Sequence, residues 1–204
     1  MKKMIPLLLI ALATVFVLPD ESKASVLLYN GSEGEEVKDV QEVLADLGYF
    51  KAKQTGYYGP ITIEAVKAFQ RDFGLSQDGI TGSKTLREIS NVKSMASVVH
   101  GEARGESYEG KVAVAAVVLN RVADDEFPSD VKGVVYQRNA FTAVFDGQYD
   151  LTPNREAYRA VKDAQRGSDP SQGSTYYYNP DIATSSWIFT RTPVVTIGNH
   201  VFAK

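Results

Sequence analysis

A helix-rich α+β fold in two domains is what this 204-residue sequence predicts, on three observations. Apolar residues recur at the i, i+3, i+4 spacing of an amphipathic helix, as in Val37, Val40, Leu44 and Leu47 and again in Val112, Ala115, Ala116 and Leu119. A glycine turn feeding a short helix occurs twice between residues 30 and 90. From Thr175 onward the chain turns aromatic and β-branched, a composition suited to short strands. These features divide the chain into a leader over residues 1–24, a three-helix unit over 25–92, and a helical domain with a small C-terminal β-sheet over 93–204.

The leader starts with Lys2 and Lys3, continues through the apolar run Met4–Leu18 and ends at the small-residue site Ser22-Lys23-Ala24, the pattern of a secretory signal peptide. The run is shorter than the roughly twenty residues that cross a bilayer, so an uncleaved anchor is the competing reading. Formal charge is −3. Cleavage after Ala24 leaves about −4, so no basic footprint for nucleic acid is present. The chain has no cysteine, which excludes disulfides and a lipid-anchored thiol and makes apolar burial the source of stability.

In the first unit, Val37, Val40, Gln41, Leu44 and Leu47 share one helix face, and Gly48 ends the helix. Tyr58-Gly59-Pro60-Ile61-Thr62 then leads into Ala65, Val66 and Phe69, and Asp78-Gly79-Ile80-Thr81-Gly82 leads into Thr85, Leu86 and Ile89. The unit holds no histidine or cysteine and its acids sit at helix ends and turns, which favours binding over catalysis. The run from Gly34, Val37, Gln41, Leu44 and Gly48 through Gly59, Thr62, Phe69-Gln70, Asp78-Gly79 and Thr85 resembles the peptidoglycan-binding domain of bacterial wall enzymes. That resemblance implies peptidoglycan as a partner. Only Asn91–Lys93 separate the last helix of this unit from the next apolar pattern, so the two domains are expected to touch.

In the second domain, Met95, Val98, Val99 and Glu102 stand at i, i+3, i+4 and i+7, which places Glu102 on the apolar face of a helix. Burial there raises a carboxyl pKa and keeps the acid protonated near neutral pH, as a proton donor to a leaving sugar oxygen requires. The bland alternative pairs Glu102 with Arg104 or Arg121, or turns it to water. Gly101 and Gly105 flank it at a cost to helix stability, either to give a bulky substrate backbone room or to let helices pack closely. Ser107 is a candidate N-cap for the next helix, and Asn120 and Arg121 near its end are candidates to cap carbonyls or anchor a loop. If Glu102 and Glu106 lie on one helix they sit on the same side of any ligand, which favours a single acid/base over a flanking pair.

Residues 100–122, with Phe141-Thr142-Ala143-Val144, Asp146-Gly147, Tyr177-Tyr178-Asn179-Pro180 and Ile197-Gly198-Asn199-His200-Val201-Phe202, resemble the cell wall hydrolase family of the spore cortex-lytic enzymes. The resemblance implies a lysozyme-like helical domain that cleaves the N-acetylmuramic acid to N-acetylglucosamine bond by lytic transglycosylation. Glu102 takes the place of the catalytic glutamate and Glu106 a substrate-orienting place. His100 stands where that family is expected to carry an aromatic residue. The implied protein is a secreted monomer of the cell wall or spore cortex; the sequence leaves vegetative wall open as the substrate.

Among Tyr176, Tyr177, Tyr178 and Trp187, one or two are expected to line a sugar groove and the rest to be buried, with strand alternation favouring Tyr176 and Tyr178. Asn179 offers an amide to an N-acetyl group or simply makes a turn before Pro180, and Thr142 is placed to orient Glu102. The enzymatic rival is a zinc amidase acting on the peptide stem. His100 and His200 are the only histidines, and neither lies in an HExxH pattern, so neither a metal nor another cofactor is expected. A non-catalytic wall-binding protein is the other alternative.

Overall fold

The computed structural model describes residues 26–204, so the predicted leader lies outside the described residues. The first unit holds α1 (Glu35–Asp46), α2 (Pro60–Asp72) and the start of α3 (Ser83–Ala103). Gly48, with φ 82°, takes the left-handed conformation just past α1, while the Tyr49 and Phe50 amides both donate to the Leu44 carbonyl. Pro60 occupies the first turn of α2, where its missing N–H costs nothing.

The two glycine turns are braced in the same way. Gln41, buried in α1, accepts from the Gly56 amide at 3.0 Å and donates to the Tyr57 carbonyl at 2.8 Å and to the Thr62 hydroxyl at 3.0 Å. Gln70, buried in α2, repeats the set with Gly79 at 2.9 Å, the Ile80 carbonyl at 3.0 Å and the Thr85 hydroxyl at 3.2 Å. Each helix thus fixes the turn that launches the next one, which is the physical content of the sequence repeat.

Where the apolar pattern predicts a break at Asn91–Lys93, the structure has one continuous helix of 21 residues, α3. The boundary at residues 92 and 93 falls inside it. Nothing in that stretch opposes helix formation, since the segment contains neither glycine nor proline. Ile89, Val92, Met95, Ala96 and Val99 are buried along it and join the two units into one core that runs from Leu28 to Phe202.

Beyond α3 come α4 (Tyr108–Val122), α5 (Val131–Val135) and α6 (Arg155–Gln165), whose first turns are capped by Ser107, Asp130 and Asn154 respectively. An antiparallel sheet of β1 (Tyr176–Tyr178), β2 (Pro193–Ile197) and β3 (His200–Ala203) follows, in the order β1-β3-β2. The architecture is therefore the helix-rich α+β arrangement that the sequence predicts. α6 also fastens the first unit, because Lys162 donates to the Leu47 carbonyl at 2.8 Å and sits 4.5 Å from the centre of the Tyr49 ring.

Replacing Gln70 with alanine leaves the buried Gly79 amide without its acceptor and removes the amide that donates to the Ile80 carbonyl and the Thr85 hydroxyl. Urea unfolding of Gln70→Ala is expected to show a loss of about 2–3 kcal/mol.

Candidate active site

α3 ends at Ala103, and its last full turn carries Glu102 half-buried within the second domain. One carboxylate oxygen accepts from the backbone amide of Ala143 at 2.6 Å and the other from the Tyr177 hydroxyl at 3.0 Å. Burial is the largest influence on this carboxyl and pushes its pKa above the usual range; the two donors pull it back down, and nearby Asp146 pushes it up again. No Lys, Arg or His nitrogen among the described residues pairs with it within 4.0 Å, so the pairing with Arg104 or Arg121 does not form.

Close packing of the chain brings the Ala143 amide to this carboxyl. A Cβ added at Gly101 would stand 2.5 Å from the Ala143 side chain, so only glycine lets the 3-10 turn Thr142–Val144 lie directly on α3. Of the two readings of Gly101, the structure therefore supports close packing. Gly105 has open space around it.

Buried Arg121 secures both donors. Its Nε donates to the Thr175 carbonyl at 2.7 Å, two residues before Tyr177, and its Nη1 to the Ala140 carbonyl at 3.4 Å, three residues before Ala143. The guanidinium also lies over the Phe141 ring at 4.9 Å. Asn120 ties the same region down through Asp169, Ser171 and the Ser174 carbonyl.

Glu106 is not on the helix face of Glu102, because α3 stops three residues before it. Its carboxylate accepts from the Asn199 amide at 3.2 Å and from the Asn199 side chain at 3.0 Å. It thereby clamps the tip of the β2–β3 hairpin, where Gly198 has φ 58° and a side chain would collide with Glu106 itself. The carboxylate that does act on Glu102 is Asp146, kept ionised below the usual range by two hydrogen bonds from Gln148.

Neither the Tyr176 nor the Tyr178 hydroxyl bonds Glu102, which takes its phenol donor from Tyr177. Tyr176 packs edge-on against Trp187 at 5.3 Å and lies 5.7 Å from Arg121, while Tyr178 packs against Phe189. Strand alternation favours Tyr176 and Tyr178 for the site, yet Tyr177, on the other face of β1, is the tyrosine that bonds Glu102, and burial with the adjacent Glu102 charge raises its phenol well above the ordinary value. Asn179 makes the turn, its side chain accepting from the Asp181 amide at 3.0 Å. Thr142 is exposed at the start of the 3-10 turn, and the neighbouring backbone amide rather than its hydroxyl holds Glu102.

His100 and His200 are shifted below the ordinary histidine range, chiefly by burial. No three His, Cys, Asp or Glu side chains converge as a metal-binding set among the described residues. No helix among those residues is long and apolar enough to cross a membrane.

The cell wall hydrolase family matches residues 105–203, a span that begins three residues after Glu102, and the putative peptidoglycan binding domain family matches residues 33–89. The spore cortex-lytic enzyme of Bacillus cereus is 37% identical to the chain, over 90% of the chain and 88% of that protein. The spore cortex-lytic enzyme of Bacillus subtilis strain 168 is 50% identical, over 87% of the chain and 89% of that protein. The solved catalytic domain of the germination-specific lytic transglycosylase SleB from Bacillus anthracis superposes with a TM-score of 0.54 at 54% identity, covering 56% of the chain and 93% of that domain.

Two outcomes test the site's geometry. Gly101→Ala pushes the Thr142–Val144 turn off α3, and loss of the Ala143 bond is expected to lower turnover of purified peptidoglycan on the order of 100-fold, measured against the unaltered chain. The second concerns stability. With a folded-state pKa above the unfolded one, Glu102 costs no stability while protonated and becomes destabilising as pH climbs from the ordinary glutamate value through the raised one. Thermal melts of Glu102→Gln and the unaltered chain should therefore agree in acid and diverge in favour of the variant as pH rises through that window.

Proposed function

The chain belongs to the family of the spore cortex-lytic enzymes, and from that premise we propose that it cleaves the bond between N-acetylmuramic acid and N-acetylglucosamine in peptidoglycan as a lytic transglycosylase, with Glu102 as the single acid/base. The observation that carries this reading is a half-buried carboxyl with a raised pKa, oriented by the Ala143 amide and the Tyr177 hydroxyl. As an acid it gives its proton to the glycosidic oxygen while the bond from that oxygen to the muramic acid C1 breaks. The resulting carboxylate then takes the proton of the C6 hydroxyl as that oxygen bonds to C1, which closes a 1,6-anhydro ring and regenerates the acid. Water is not consumed.

The two donors suit this cycle, because they stabilise the carboxylate between the steps without removing the burial that protonates it. Thr142 at the exposed turn, with the rings of Tyr176 and Tyr178 and the amide of Asn179, supplies contacts to the glycan, and Glu106 shapes the wall through the hairpin. The matched peptidoglycan-binding unit keeps the enzyme on its substrate. Its leader directs export, and spore cortex is its substrate, in line with the similar proteins being spore cortex-lytic enzymes. The working form is a monomer.

Incubation of Glu102→Gln with purified cortex peptidoglycan tests the assignment. The variant is expected to lose release of 1,6-anhydro ends by at least about 1,000-fold while still pelleting with the wall. Undiminished anhydro ends in the variant would defeat it, as would products consisting of free amino termini that disappear with a chelator. A second measurement follows from Tyr177. Its hydrogen bond lowers the Glu102 pKa, so Tyr177→Phe should move the alkaline limb of the kcat/KM profile to higher pH.

A further inference from the structure

The negative charge felt at Glu102 comes from Asp146, an exposed acid that the fold nevertheless holds in place. Asp146 lies three residues beyond Ala143, whose amide bonds Glu102, and its own amide donates to the Thr142 carbonyl at 3.2 Å, closing the turn beside the acid. One oxygen of its carboxylate accepts from the Gln148 backbone amide at 3.0 Å and the other from the Gln148 side chain at 2.8 Å. The side-chain oxygen of Gln148 accepts in turn from Arg104 at 3.2 Å, which keeps the NH2 group of Gln148 toward Asp146. Gln148 also packs on Gly101, one residue before Glu102. Holding an exposed side chain this way costs rotamer entropy and buries no apolar surface.

We propose that Asp146 is a second functional carboxylate of the lytic reaction, a fixed negative charge that stabilises the positive charge developing on the muramic acid C1 and ring oxygen as the glycosidic bond breaks. The inference rests on the lytic reading of Glu102. In that step the electron pair of the C1–O bond leaves with the glycosidic oxygen, which takes the Glu102 proton, while a lone pair of the ring oxygen is drawn toward C1. The sugar is cationic at that moment. Asp146 forms no bond and moves no proton, so the C6 hydroxyl still closes the ring and returns its proton to Glu102.

The two carboxyls divide the work by environment. Glu102, desolvated, is neutral when the step begins and supplies the proton; Asp146, solvated and held ionised, supplies the field. Water weakens such a field, but a sugar laid across exposed Thr142 and Asp146 expels that water and strengthens the attraction as charge develops. Gln148 and Arg104 preorganise the charge, which then need not reorient during the reaction. Glu106 is unsuited to the task, because both its oxygens are spent on Asn199.

Two measurements test the proposal. Release of 1,6-anhydro ends from purified cortex peptidoglycan gives kcat and KM for Asp146→Asn, a change at an exposed position. On the acid side of the profile, where Glu102 is protonated in both forms, kcat is expected to fall about 100-fold with KM within about three-fold of the unaltered chain. The alkaline limb of kcat/KM moves to lower pH, because the charge that raised the Glu102 pKa is gone. A displaced limb with an undiminished acid plateau overturns the proposal, since Asp146 would then tune Glu102 and nothing more. The second measurement cleaves no bond. In the Glu102→Gln background, NMR titration compares 2-acetamido-1,2-dideoxynojirimycin, whose ring nitrogen is cationic, with neutral N-acetylglucosamine. The cation should bind at least about ten-fold tighter, and adding Asp146→Asn should abolish the preference. Equal affinities for the two sugars, or a preference that survives Asp146→Asn, overturn the assignment. Retained release of anhydro ends by Glu102→Gln would defeat the lytic reading and leave this comparison intact, and an absent preference would leave the product test on Glu102→Gln untouched.

Discussion

A carboxyl removed from water resists ionisation, and a fold that keeps one half-buried at a working surface must hold it by other means. At Glu102 those means are a backbone amide and a phenol, with no cation within ion-pair distance among the described residues. The difference matters for chemistry. A paired arginine would hold the carboxylate permanently charged, whereas neutral donors orient the side chain and leave burial to raise its pKa. Both donors depend on segments distant in sequence, and Arg121 ties the two segments together through the Ala140 and Thr175 carbonyls. Removing Arg121 would free both at once, although it makes no hydrogen bond or ion pair with the carboxyl.

The continuous α3 extends this constraint to the whole molecule. Its first half completes the three-helix unit and its second half ends at the acid, so the orientation of the wall-binding unit relative to the site is set by a rigid rod and a shared core. Lys162 on α6 and the pair between Arg155 and Asp46 at 3.3 Å add polar fastening on the other side of the junction. The exposed ion pair contributes little, about 0–1 kcal/mol, so the apolar seam along Ile89, Val92, Met95 and Ala96 carries the junction.

Much of this was legible in the sequence for a physical reason. Helical periodicity reports which face is buried, so the positions of α1, α2, α4 and the placement of Glu102 on an apolar face follow from spacing alone. The repeat also shows, and Gln41 and Gln70 reveal why, since each brace uses the same three turn groups. What the sequence concealed are relations that periodicity does not encode. Two apolar patterns meet at Asn91–Lys93 as they would at a break between domains, yet nothing in that stretch stops a helix. Alternation correctly separated Tyr177 from Tyr176 and Tyr178, but in a three-residue strand covered on both sides it does not say which face meets the acid. The Ala143 donor is a backbone group, invisible in residue type; its only trace is Gly101, whose missing side chain leaves the room.

The acids around the site show why residue type alone was insufficient. Glu102, Glu106 and Asp146 are chemically near-identical, yet the fold gives each a different environment. Asp146 is solvated and held ionised by Gln148, Glu106 spends both oxygens on the Asn199 turn, and Glu102 alone is desolvated with a raised pKa. The negative charge on Asp146 adds to that rise, so the solvated acid helps to keep its buried neighbour protonated. A continuous helix would set Glu106 beside Glu102, because i and i+4 are neighbours on a helix. Once α3 ends at Ala103 that neighbourhood no longer exists, and the partner comes instead from the turn that Gly101 allows to dock. The position of a helix end thus decides which carboxylate tunes the acid and which one serves as a structural clamp.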